Sequence, residues 1–129
     1  MTKHSVLVVD DEKWIRFFLR DFLEDEGFEV REAENLSIAK EALKSEKTPD
    51  LIILDLTLPD GNGISWLNEL RKVDVTKNIP ILLSSAAVED HDREFTSLPG
   101  LTEELHKPYD INKLRALIKQ MVGDTPPQT

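Results

Sequence analysis

The hydrophobic pattern of this chain repeats one theme. A short unbroken apolar run ends in a polar group, and a stretch with helical spacing follows. Ser5-Val-Leu-Val-Val9 runs into Asp10-Asp11-Glu12, and Leu51-Ile-Ile-Leu54 runs into Asp55 and then the turn Pro59-Asp-Gly-Asn-Gly63. Ile81-Leu-Leu-Ser84 also ends in hydroxyls, at Ser84 and Ser85. Runs this short, bounded by turn signals, are predicted to be strands buried on both faces of a parallel sheet. Two strands are predicted at the margins: Phe28–Ala33 alternates apolar and polar residues like an exposed edge, and Thr102–His106 is short and polar.

Between the strands lie five helical segments. In the first, Ile15, Phe18, Leu19, Phe22 and Leu23 recur at helical spacing, Trp14 and Phe17 widen the face, and Gly27 is the stop. Ser37 is predicted to cap a second helix that turns Ile38, Ala39, Ala42 and Leu43 inward. Ile64, Leu67 and Leu70 trace a third, and Ala86 to Ser97 an acidic fourth. Asp110 caps the last, through Ile111, Leu114, Leu117, Ile118 and Met121. Five strands alternating with five helices predict an α/β fold: a doubly wound five-stranded parallel sheet with helices on both faces and right-handed crossovers. One domain over residues 1–122 is expected, with residues 123–129 as a flexible tail or the start of a linker.

Composition narrows the class. Against 16 Lys and Arg stand 25 Asp and Glu, a net charge of −9, which argues against direct nucleic-acid binding by this segment. With no Cys there are no disulfides, no Cys-based zinc sites and no thiol nucleophile. No apolar run approaches a membrane span and no signal peptide is read at the N-terminus, so a cytoplasmic location without membrane contact is expected.

In a parallel sheet all strand carboxyl ends lie along one edge, where open α/β sheets bind their ligands. Four predicted strands bring a polar group there: Asp10 and Asp11, Asp55, Ser84 or Ser85, and Lys107. Each alone has an ordinary structural role. The acids after the first strand suit a helix start, Asp55 suits a turn before Pro59, and Lys107 suits a solvated strand end. Their coincidence on one edge favours a site. Clustered carboxylates repel one another unless a cation neutralises them, and hard oxygen ligands point to Mg²⁺. An ammonium and a hydroxyl complete a cage for a phosphoryl group. With no Cys and no suitably placed His, the available nucleophile is a carboxylate, which gives an acyl phosphate.

Taken together, Val-Val-Asp10-Asp11-Glu12-Lys, Leu-Asp55-Leu-Thr-Leu-Pro59-Asp-Gly-Asn-Gly63, Ser85-Ala86 and Lys107-Pro108 resemble the signature set of bacterial two-component response-regulator receiver domains, over residues 4–122. The resemblance implies a flavodoxin-like sheet of order 2-1-3-4-5, as in chemotaxis regulators. It implies that Asp55 accepts a phosphoryl group from a phosphohistidine on a sensor histidine kinase or phosphotransfer protein. It also implies that Asp11, Asp55 and the Thr57 backbone carbonyl hold Mg²⁺, with Asp10 helping, and that Ser85 and Lys107 contact the phosphoryl oxygens. Implied partners are an output protein or fused effector domain, and a second copy through the face of the fourth helix, fifth strand and fifth helix. One departure stands out: Glu104 occupies the position where the family usually has a switching aromatic. It favours a second reading, an interaction module that signals without phosphate. A third, a hydrolase with an Asp nucleophile, lacks a second carboxylate two residues beyond Asp55, where Thr57 stands.

Overall fold

Every residue of the three central strands is buried: β1 (Ser5–Val9), β3 (Leu51–Asp55) and β4 (Ile81–Ser85). That is why their sequences are continuously apolar, since a parallel strand covered on both faces has no solvent side. The computed structural model describes residues 4–45, 47–85 and 101–123. In it β2 (Glu29–Ala33) and β5 (Thr102–His106) complete a five-stranded parallel sheet in the order β2-β1-β3-β4-β5. The predicted strand order is therefore present. Both edge strands carry half-exposed polar positions, as expected of the alternating β2 and the short, polar β5.

Strand alternation divides the core in two. On one face, Leu7, Val9, Ile52, Leu54, Ile81 and Leu83 pack with α2 (Leu36–Ser45) and α3 (Gly63–Leu70). On the other, Val6, Val8, Leu51, Ile53, Leu82 and Leu105 pack with α1 (Lys13–Asp25) and α4 (Ile111–Val122). Asp110 caps α4 as predicted, its Oδ1 accepting from the Asn112 and Lys113 amides at 2.9 and 3.2 Å. Gly27, at φ +96°, ends the turn after α1. The helix predicted over Ala86–Ser97, with its acidic run Glu89-Asp-His91-Asp92, lies outside the described residues, as does the tail beyond Gly123.

Three local expectations are corrected. Ser37 does not cap α2; Asn35 does, its Oδ1 accepting from the Ile38 amide at 2.8 Å, while the Asp60 carboxylate takes the Leu36 and Ser37 amides at 2.9 and 3.0 Å. The cap comes partly from a loop distant in sequence, which local pattern cannot reveal. Ile38 is 43% exposed instead of turned inward, because Leu36 and Ala39 define the buried line of α2. Trp14 and Phe17, expected to widen the buried face of α1, are 77% and 63% exposed, while Leu19 and Leu23 of the predicted face are buried and Phe18 is 36% exposed.

The loop after β3 is closed tightly. Thr57–Leu58 pairs antiparallel with Gly61–Asn62, and the Gly63 amide donates to the Leu56 carbonyl at 2.8 Å. A Cβ on Gly63 would stand 2.3 Å from the Asp55 carbonyl oxygen, so only glycine lets α3 begin this close to the strand. Gly63→Ala is expected to lower unfolding stability by about 1–3 kcal/mol in urea titrations, the cost of overpacking against backbone. Unchanged stability would mean the loop is not held against β3.

Candidate active site

Asp10 is the first residue past β1, and three contacts fix it. Its amide donates to the Ala33 carbonyl (3.0 Å), its Oδ1 accepts from the Glu12 amide (2.8 Å), and the Arg16 guanidinium donates to its carbonyl (2.7 Å). Arg16 is in turn held by Glu32 of β2 at 3.0 Å. The sheet edge therefore fixes the backbone from which Asp10 and Asp11 project. Asp55 closes β3, only 7% exposed, and its Oδ1 accepts from the Thr57 amide at 3.3 Å. Carboxylate oxygens of Asp10, Asp11 and Asp55 lie within 4.8 Å of one another, Asp10 and Asp55 buried and Asp11 exposed.

The countercharge comes from the far side of the sheet. Lys107 follows β5, and its Nζ lies 2.8 Å from Asp10 Oδ2, 3.3 Å from Glu12 Oε1 and 3.6 Å from Asp55 Oδ2. Its amide donates to the Ser85 carbonyl at 2.8 Å, so the backbone of β4 carries the lysine to the site. Ser85 itself is buried at the end of β4, while Thr57 is exposed in the loop hairpin. The sequence-predicted Asp10, Asp11, Asp55 and Lys107 thus converge, with Thr57 bound to Asp55 through its amide and Ser85 to Lys107 through its carbonyl. Two contacts have no counterpart in the sequence pattern: the reach of Glu12 to Lys107, and a hydrogen bond between Ser84 and Tyr109. A lone Tyr after a Lys-Pro pair carries no periodic signal.

Glu104 lies in β5 with a half-buried side chain. Strand alternation points it away from Leu105, toward the α2–α3 side of the sheet.

The electrostatics follow from burial and crowding. Burial, then the neighbouring Asp10 carboxylate, pushes the Asp55 pKa up to about 6, with Lys107 and the Thr57 amide pulling the other way and Asp11 adding to the rise. Burial works against the Lys107 ammonium, but its bond to Asp10 and the field of Asp55 outweigh that and raise its pKa above the ordinary value. Among the described residues, three acids around one lysine leave the pocket with excess negative charge. This is a donor set that fits a hard divalent cation: all oxygen, clustered, and open on the Asp11 side.

The raised Asp55 pKa fixes a sign for stability. A carboxyl that holds its proton more tightly folded than unfolded contributes stability below about pH 4 that is lost as pH rises through about 6. In buffer free of divalent ions, Asp55→Asn is expected to raise stability near pH 7 by about 3 kcal/mol, with the gain fading toward pH 4. A difference that does not change with pH would contradict this.

Comparison with known proteins agrees with the geometry. Residues 6–119 match the family model for the response regulator receiver domain. The chain is 41% identical over 115 residues to the KDP operon transcriptional regulatory protein KdpE of Escherichia coli, covering 89% of this chain and 49% of KdpE. It is 37% identical over 117 residues to the phosphate regulon transcriptional regulatory protein PhoB of the same organism, covering 91% and 51%. The chain thus spans about half the length of these curated relatives. The structure of chemotaxis response regulator CheY4 of Vibrio cholerae superposes with a TM-score of 0.80 at 24% identity, covering 93% of this chain and 99% of that one, a likeness of fold. Fold, pocket and sequence agree, and this chain belongs to the response regulator receiver domain family.

Proposed function

We propose that Asp55 is the phosphoacceptor of this receiver, taking its phosphoryl group from a phosphohistidine on a sensor histidine kinase or a phosphotransfer protein. The observation that carries this is the convergence of Asp10, Asp11, Asp55 and Lys107 at the carboxyl edge of the sheet. An Asp55 carboxylate oxygen attacks phosphorus, an O–P bond forms as the N–P bond breaks, and the electron pair leaves with the imidazole. Asp55 must be ionised to attack, and near neutral pH it lies above its titration point of about 6. Lys107 supplies a positive charge beside the carboxylate that is to carry the phosphoryl group, and Ser85 a hydroxyl donor at the end of the neighbouring strand.

Asp10, Asp11, Asp55 and the Thr57 carbonyl would hold Mg²⁺, whose charge offsets that of the carboxylates and the transferring phosphoryl oxygens. The product is a carrier state that slowly hydrolyses, so the domain acts as a switch and not as an enzyme of multiple turnover. Trp14 and Phe17, exposed on the first turns of α1 beside the acids, offer an apolar rim for the phosphodonor protein to cover. The names of KdpE and PhoB support a transcriptional output. At net charge −9, nucleic-acid contact would fall to a segment other than this one. Pairing with a second copy would involve a face that lies partly outside the described residues.

A small acyl phosphate with Mg²⁺ is expected to phosphorylate the intact protein, read as a mass increment. Asp55→Asn and Asp11→Ala should abolish the increment, and Lys107→Ala should slow its formation. An Asp55→Asn variant labelled as well as the parent would overturn the assignment.

A further inference from the structure

Ser84 and Tyr109 take no part in the chemistry above, yet they are joined beside it. Ser84 is 1% exposed and is the register partner of Asp55 on β4. Its Oγ lies 2.5 Å from the Tyr109 hydroxyl. Its strand neighbour Leu82 and cross-strand partner Leu105 belong to the apolar cluster between the sheet and α1 and α4, where a lone hydroxyl is costly. Tyr109 packs against the same cluster, its ring stacked on Phe18 at 6.0 Å between centroids and 22° between planes. Burial pushes its phenol up to about 12, so the hydroxyl keeps its proton at neutral pH.

The consequence falls on Lys107. Its amide is fastened to the Ser85 carbonyl at 2.8 Å, and two residues later the Tyr109 hydroxyl is fastened to Ser84. Pro108, between them, has no N–H with which to add a rung. The turn that leaves β5 is thus tied at two points to consecutive residues of β4. From this turn the Lys107 side chain reaches Asp10 at 2.8 Å and Asp55 at 3.6 Å. A lysine has four freely rotating side-chain bonds, so the placement of its ammonium depends on how well its backbone is held.

We infer that Tyr109, held through its hydroxyl by Ser84, is a positioning residue for Lys107: the pair sets where the ammonium stands between Asp10 and Asp55. The inference rests on the role proposed for Lys107.

The test uses the full chain labelled with ¹⁵N. The Lys107 ammonium, held by carboxylates, should give a protected Nζ signal, assigned by its loss in Lys107→Ala. Tyr109→Phe keeps the ring on Phe18 and removes only the hydroxyl. It is expected to weaken that signal and to slow labelling of Asp55 by a small acyl phosphate about fivefold. Ser84→Ala should do the same, Ser84→Thr should preserve the signal, and the Ser84→Ala/Tyr109→Phe double variant should be no worse than either single one. In a Lys107→Ala background Tyr109→Phe should have no further effect on the rate. An unchanged ammonium signal and rate in folded Tyr109→Phe, or an equal rate loss with Lys107 absent, would overturn the inference. Should the parent protein take no label at all, the phosphoacceptor proposal fails, and the ammonium signal still decides the positioning role.

Discussion

Like charges held together against solvent are the constraint on which the rest of this molecule turns. Two buried carboxylates and one exposed one lie within a few ångströms of each other, with Lys107 reaching in among them. Left free, such groups would move apart or protonate, and Asp55 already leans that way with its pKa pushed up to about 6. The sheet prevents separation. β1 and β3 are adjacent, paired from Val6–Leu51 to Val9–Leu54, and both are packed on two faces, so neither strand end can retreat. The excess charge is therefore available to anything cationic that arrives, and to anything electrophilic that arrives with it.

Supporting contacts run outward from that constraint. Arg16 ties the Asp10 carbonyl to Glu32 of the edge strand, and Gly63 brings α3 against the carbonyl of Asp55. Asp60, in the loop after Asp55, receives amides from the first turn of α2, so the loop that bears Thr57 is pinned to a second helix. The Ser84–Tyr109 bond pins the lysine's turn from the opposite side. The site is thus built at the meeting of several loops, each fastened to a rigid element.

How much of this was legible in the sequence depended on the range of the interaction. The central strands were plain because double-sided burial writes itself as an unbroken apolar run. The acids and the lysine followed once strand ends were placed on one edge. At α2 two neighbouring polar residues, Asn35 and Ser37, offer similar cap signals and only Asn35 caps, while the other part of the cap, Asp60, is 24 residues from Leu36 and has no local signal. Trp14 and Phe17 were expected to lie inward because hydrophobicity alone does not separate a core position from an exposed rim beside a site. Tyr109 carries no sequence signal because a single hydroxyl-to-hydroxyl contact across 25 positions has no periodicity. Glu104 stands out in the sequence for what it replaces, and it is half-buried on the sheet face away from Leu105.

Of the three clustered carboxylates, Asp55 is the one proposed to take the phosphoryl group. Borohydride reduction of the acyl phosphate, followed by peptide mapping, locates the adduct directly, since reduction converts a phosphorylated aspartate to homoserine. After treatment with a small acyl phosphate and Mg²⁺, homoserine is expected at position 55 and at neither position 10 nor 11. Homoserine at Asp10 or Asp11, or an adduct elsewhere in a protein whose Asp55 stays unmodified, would contradict the account.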